Sequence, residues 1–442
     1  MAIENAVAAV VQQHGILRVG ITGEDTKSPA FTFVESIDLR EMIRWQTLST
    51  ESYDQDMLSS LERCHDRLWE SLAARPGWEV IVYQSEDDTG IVDIAFTFHH
   101  AYADGVASKR FHGDLLRFLN SPRDTPIGLK DHVLRFDSAP ELIPGMEVTV
   151  PFKVSWSYLL RTIWNEIIYK DIVPTWLKAT PSANDTPWTA EKVTLEPFRS
   201  NIRLIEISES TLQILIKACR AHNTTLTPLL HAYIASSLAC RLPHDVAPTF
   251  AVTTPIDLRR CAKPGYDVWK GIACLVAAHE GTINAATVAE LRVSTEKGKE
   301  NGTSEAAIWS TATALGMEIR KKADSLPNDD VVAMMDWVSD WNEFWTKRIG
   351  KARGSSWEVS NIGTLKSAPT QPQDQCTITR SIMTQGALPA GAAFSVNVSG
   401  VEGHGVCLTL TWQEGVVASS LMDGLASDLE STLSGYAESI QA

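Results

Sequence analysis

Residues 91–105 read Ile91-Val92-Asp93-Ile94-Ala95-Phe96-Thr97-Phe98-His99-His100-Ala101-Tyr102-Ala103-Asp104-Gly105. The first eight form a mostly apolar run, preceded by the turn-forming stretch Ser85-Glu86-Asp87-Asp88-Thr89-Gly90, and they predict a strand. Trp78 to Tyr83, on the far side of that turn, predicts another. After Gly105, Ala107, Phe111, Leu115, Phe118 and Leu119 recur at helical spacing, which predicts a helix ending near Asn120. Two strands joined by a turn and followed by a helix favour an antiparallel or mixed sheet over a dinucleotide-binding unit. The doublet His99-His100 therefore stands at the mouth of a sheet, with Asp104 one turn further on.

A histidine titrates near neutral pH and can take up a proton and return it, so His100 is a candidate general base. Asp104 has two conceivable roles. It hydrogen-bonds the imidazole, or it turns away and holds the loop through a basic partner. Gly105 permits a tight turn and favours the second. A buried aspartate needs a counter-charge. Arg259 and Arg260, which follow the strand ending Pro255-Ile256-Asp257-Leu258, are the candidates. The plain alternative is a His–Asp pair without catalytic use and two surface arginines.

The rest of the chain alternates helix and strand. Residues 3–13 are helical in pattern and Leu17–Ile21 is strand-like. Met57, Leu61, Cys64, Leu68 and Leu72 predict a helix of about four turns. Residues 151–200 are broken by prolines, apart from a helical piece at Val154–Tyr169, and read as a crossover between a first half (1–150) and a second half (201–442). The second half opens with a strand at Ile202–Ile207 and a helix at 209–221. Thr227-Pro228 is a good N-cap and N1 pair for a helix to Leu242, and a strand follows at Thr249–Pro255. Helices are expected at 286–300, 304–323 and 329–349. In the last of these, Trp337, Trp341 and Trp345 mark a packing face. Strands near 356–362, 375–383, 391–398 and 405–412 precede a final helix at 418–438.

The chain has 442 residues, enough for two sizeable cores, with 44% hydrophobic and 21% charged residues. A net charge of −15 argues against nucleic acid or an anionic membrane as the main partner. No run of about 18 apolar residues predicts a membrane span, and the N-terminus reads as a folded helix rather than a signal peptide. The seven cysteines are scattered, with no metal-type spacing and no disulfide framework. They read as reduced thiols, mostly buried, of a cytoplasmic protein. No metal site is expected.

His99-His100-Ala101-Tyr102-Ala103-Asp104-Gly105 resembles the His-His-x-x-x-Asp-Gly motif of the chloramphenicol-acetyltransferase-like superfamily. That group includes the BAHD acyltransferases, the condensation domains of peptide synthetases and the alcohol O-acetyltransferases. Supporting segments are Leu17–Ile21, Phe111–Leu116, Pro255–Arg259 and Val359-Ser360-Asn361-Ile362-Gly363. The fungal alcohol acetyltransferase-like group is the closest match. The plant-type Asp-Phe-Gly-Trp-Gly motif is absent, and the segment ahead of Leu17 is shorter than usual. The first half is therefore expected to be a trimmed version, with a sheet edge exposed or differently covered.

The resemblance implies an α/β fold (α+β, mixed sheets) of two similar halves forming a pseudo-dimer with a tunnel between them. It implies that His100 is the catalytic base and that Asp104 is structural, salt-bridged to Arg259. Ser360, Asn361 and Gly363 are implied to lie near the cleft, where donors can approach an oxyanion; a plain turn is the other reading. The expected reaction moves an acyl group, most simply acetyl, from a CoA thioester to a hydroxyl of a small secondary metabolite. No cofactor is permanently bound, acyl-CoA being a co-substrate, and the chain is expected to act as a monomer. Base catalysis would supply about 10²–10⁴-fold and an oxyanion donor about 10²–10³-fold. Two alternatives use the same passage: condensation-type ester or amide formation from a carrier-protein thioester, and a cyclase or non-catalytic binder.

Overall fold

The computed structural model describes residues 1–87, 89–121, 126, 128–164, 186–301, 304–366 and 376–441. In the first half, the strand Trp78–Ser85 pairs in parallel with Ile43–Leu48 and antiparallel with Val92–Phe98. Helices Ala2–Gln13 and Gly105–Leu119 pack together against this unit. Their apolar stripes, Val7, Val10 and Val11 with Ala107, Phe111 and Leu115, close over Trp78, Val80, Val82 and Phe96. Phe96 and Phe111 stack with centroids 3.8 Å apart, and buried Trp78 donates its Nε1–H to the Leu17 carbonyl at 2.9 Å. Two smaller sheets flank this core, Val19–Thr22 with Ala30–Phe33 and Ser36–Asp38 with Val133–Arg135 and Leu129–Lys130.

The second half holds a seven-stranded mixed sheet. Its spatial order is Ser200–Ile207, Gly405–Gln413, Ala392–Val401, Ser355–Leu365, Thr249–Asp257 and Val276–Ile283, with Pro187–Trp188 pairing beside Thr249–Asp257. Helices Glu209–Ala221, Leu226–Arg241 and Ser419–Gln441 pack on one face, where Trp357, Val359, Phe394, Val396, Leu408, Leu410 and Trp412 are buried. Period-two alternation sends the intervening residues to the other face. That face is polar yet buried. Ser360, Asn397 and Thr409 lie in one row across three strands, and Ser395 and Thr411 lie in the next beside the half-buried Glu358. It looks towards the first half, where Met57, Leu61, Ile81 and Tyr83 meet Ile202.

Residues 376–388 run between the halves. They were expected to hold a strand but form none. Their polar groups bond outward instead: Thr409 Oγ1 donates to the Met383 carbonyl at 2.6 Å, His65 meets Thr384 at 2.8 Å, and Arg380 pairs with Asp54, Asp93 and Glu206.

Several boundaries move. The helix carrying Met57 and Leu61 is Tyr53–Asp66, so Leu68 is 85% exposed, and Leu72 joins the first-half core separately. Arg67 ends the helix and turns to Glu79 and Trp69. Leu17–Ile21 divides into a 3-10 turn, Gly15–Arg18, and the strand Val19–Thr22. The helix expected from Thr227 begins at Leu226 with Thr225 as its N-cap residue. The stretch 329–349 is a 3-10 helix, Val331–Trp337, and a short helix, Trp341–Thr346, each opened by an aspartate cap. Trp337 and Trp345 are exposed, and Trp345 stacks on Trp341 rather than filling a core. The helix expected over Val154–Tyr169 is seen as Trp156–Ile163; residues 165–169 lie outside the described residues. A strand not foreseen, Val276–Ile283, completes one sheet edge.

Candidate active site

The strand Val92–Phe98 delivers His99 and His100 to a turn closed by the Tyr102 N–H on the His99 carbonyl at 3.0 Å, and the helix Gly105–Leu119 follows. The helix starts there because Asp104 caps it: Oδ1 accepts the Ala107 N–H at 2.8 Å, satisfying one of the first-turn donors. The same carboxylate accepts from Arg259 twice, Nη1 to Oδ2 at 2.9 Å and Nη2 to Oδ1 at 3.0 Å. The Leu275 N–H adds a further bond to Oδ2 at 2.8 Å. Asp104 is 5% and Arg259 3% exposed. Burial opposes the guanidinium charge, but the Asp104 and Asp257 carboxylates more than offset it and hold its pKa above the ordinary value. Arg260 turns away to the Ala323 carbonyl. Asp104 makes no bond to either histidine.

The two histidines diverge. His99 is half-buried, its backbone N–H bonded to the Gly77 carbonyl at 2.8 Å and its ring edge-on to Tyr102. Burial lowers its pKa. His100 is exposed. Its ring sits edge-on to Phe98, and its Nδ1 lies 3.7 Å from the Cys274 sulfur.

Gly105 is required for a reason other than the expected turn. It is the first helical residue, and a Cβ there would stand 2.5 Å from Ile362 Cγ2 and 3.2 Å from Met383 Cε. The first half's helix thus starts in direct contact with two segments of the second half.

Ser360, Asn361 and Gly363 lie on the strand Ser355–Leu365. Ser360 is buried on the polar face. Asn361 donates its Nδ2–H to Thr227 Oγ1 at 3.1 Å and accepts the Gly363 N–H at 2.8 Å. A β-bulge follows Asn361, and Gly363 takes the left-handed φ of +73° that glycine tolerates best.

Three neighbours escaped the sequence reading. Glu358 lies two residues before Ser360 on the same strand face and accepts from Gln385 Nε2 at 2.9 Å. Burial raises its pKa, and the His100 charge pulls the other way. Period-two counting back from Ser360 is the signal that finds it. Lys109 ends beside Gly363, and burial lowers its pKa. Cys274 carries no linear signal; only the fold brings it to His100.

No helix among the described residues is long and apolar enough to cross a membrane. The chain is similar to "Probable alcohol acetyltransferase FCK4" of Fusarium pseudograminearum, 27% identical over 98% of this chain and 86% of that protein. It is 23% identical to "Probable alcohol acetyltransferase crmB" of Aspergillus fumigatus, over 94% of this chain and 86% of that one. Among solved structures it resembles the TRI3 trichothecene 15-O-acetyltransferase of Fusarium sporotrichioides, with TM-score 0.68, 14% identity and coverage of 98% and 86%. It also resembles the epimerization domain of the third module of tyrocidine synthetase B, with TM-score 0.56, 12% identity and coverage of 99% and 88%. These likenesses establish the two-half, mixed α/β architecture of the chloramphenicol-acetyltransferase and condensation-domain fold. The alcohol acetyltransferase family model matches residues 41–425, the span that carries the histidine doublet, the Asp104–Arg259 pair and the bulged strand, and the chain belongs to that family.

Proposed function

We propose that this acyltransferase moves an acetyl group from acetyl-CoA to a hydroxyl of a small secondary-metabolite alcohol, with His100 as the general base. The observation that carries the reading is the division of labour in the motif. Asp104 is fully engaged by Arg259, Ala107 and Leu275, while the His100 ring stays open to solvent. An imidazole packed into solid core would have removed the base.

The alcohol O–H gives its proton to His100 Nε2 as the oxygen bonds to the thioester carbonyl carbon. The carbonyl π pair moves to oxygen, giving a tetrahedral oxyanion. That intermediate collapses, the C–S bond breaks, and the thiolate takes the proton from His100. An ester and free CoA leave, and the base is restored. Because the Asn361 side chain is engaged by Thr227 and the Gly363 N–H is already given to Asn361, Ser360 is the better oxyanion donor. A passage between the halves brings the two substrates together and contributes through proximity. The seven free cysteines suit a cytoplasmic protein. No permanently bound cofactor is part of this reading.

The test is incubation with several acyl-CoAs and a panel of hydroxylated metabolites, reading product masses. Acetylated products that vanish with His100→Ala are expected. A fully active His100→Ala protein overturns the assignment. The likeness to a peptide-synthetase domain keeps a carrier-bound donor as the second reading. Turnover with an acyl-loaded carrier protein but not with acetyl-CoA would establish it.

A further inference from the structure

The buried ion pair does more than shape the turn. Arg259 Nη2 donates to the Ala273 carbonyl at 2.7 Å, and Asp104 Oδ2 accepts the Leu275 N–H at 2.8 Å. The Leu258 N–H adds a bond to the Leu275 carbonyl at 3.0 Å. Residues 273 and 275 are therefore fixed by the two partners of one salt bridge, and the residue between them is Cys274. Its sulfur is held 3.7 Å from His100 Nδ1. It is the ring's sole side-chain hydrogen-bond partner among the described residues. Phe98 touches only the ring edge, and His99 and Glu358 act at longer range through charge.

Resting on the reading of His100 as the base, we propose that Cys274 is a positioning residue: its sulfur receives the Nδ1–H of His100 and fixes the tautomer whose Nε2 is free to take the alcohol proton. A base at Nε2 requires the ring proton on Nδ1, and the partner of one ring nitrogen decides which tautomer is present. Sulfur is a weak acceptor, so the arrangement depends on the clamp that holds the residue in place. Burial, with the Asp104 charge adding to it, pushes the Cys274 thiol up to about 12. The group stays a thiol at neutral pH and does not compete with the substrate thioester as a nucleophile.

The test uses the full chain with 15N-labelled histidine, the His100 resonances being assigned by their loss in His100→Gln. Above the titration range, the wild-type ring is expected in the Nδ1–H form. Cys274→Ala moves it towards the Nε2–H form, and Cys274→Ser, which keeps an acceptor, restores it. With acetyl-CoA and an acceptor from the panel, Cys274→Ala lowers kcat about five- to tenfold with KM unchanged, the factor one hydrogen bond carries. Cys274→Ser recovers most of that loss. An Nε2–H tautomer in the wild type, or an unchanged tautomer in Cys274→Ala, overturns the proposal. A failure of the base assignment is a separate result, because it appears as activity in His100→Ala whatever the tautomer.

Discussion

Arg259 grips Asp104 by two parallel hydrogen bonds across 155 positions of chain, with both side chains inside the protein. The pair joins the start of a first-half helix to a second-half turn, so the two halves share a buried charge. Removing Arg259 leaves the Asp104 carboxylate desolvated without its cation, which costs about 3–5 kcal/mol, whereas removing Asp104 leaves Arg259 still paired with Asp257 at 2.8 Å. Arg259→Ala should lower the free energy of unfolding in urea by that amount, and Asp104→Ala by less. The double variant should lose much less than the sum of the two, because neither charge remains buried alone. Additive losses would show that the pair is not coupled.

His100→Ala should behave in the opposite way. The ring is exposed and tied to the protein by one weak contact to sulfur. Its unfolding free energy should stay within about 0.5 kcal/mol of wild type. Its kcat/KM for acetyl transfer should fall by about 10²–10⁴. The contrast between this variant and Asp104→Ala, read from urea curves and initial rates on the same preparations, separates base from scaffold within one seven-residue motif.

His231 makes the second-half core sensitive to acid. It is fully buried, accepts the Trp357 Nε1–H at Nδ1 (2.9 Å) and places Nε2 2.8 Å from Thr254 Oγ1. An imidazole that accepts at Nδ1 carries its proton on Nε2 and is neutral. Burial, helped by the nearby His279, pushes its pKa down to about 3, whereas the unfolded chain titrates near 6.5. Between those values the unfolded state binds a proton that the native state does not. Stability therefore falls as pH drops from 6.5 towards 3, by about 1.4 kcal/mol per unit from this group. In His231→Gln, the slope of unfolding free energy against pH over 4–6 should be shallower by that amount. An identical slope would show that the buried ring is not what titrates.

What could be read from the sequence was what is local. The strand–doublet–helix run around His100 needs only hydrophobic period and the Asp104 cap. The Asp104–Arg259 partnership followed from the rule that a buried carboxylate needs a cation, together with the family resemblance. What escaped depends on contacts distant in sequence. Cys274 meets His100 only because the ion pair fixes residues 273 and 275. Residues 376–383 have a strand-like composition, but their polar groups find partners in both halves rather than in a ladder. The row 337–345 has helical spacing, yet the caps at Asp330 and Asp340 split it into two short pieces. Gly105 was expected to serve backbone freedom, but what demands it is a neighbour 257 positions away, which no local pattern reports.

That neighbour gives the last prediction. A Cβ on residue 105 would stand 2.5 Å from Ile362 Cγ2, closer than two carbons pack. Gly105→Ala removes no hydrogen bond and, at a helix start, carries no penalty from propensity. Its cost comes from overpacking, about 1–3 kcal/mol. Relief through a shift of the helix start would carry His100 away from the bulged strand with it, so acetyl transfer should weaken together with stability. Ile362→Ala deletes the clashing methyl and, by itself, leaves a cavity. Combined with Gly105→Ala, it should restore part of both losses, because the new methyl fills the space vacated. A double variant no better than the sum of the singles, in urea curves and in kcat/KM alike, would show that the helix start and the bulged strand do not press on each other.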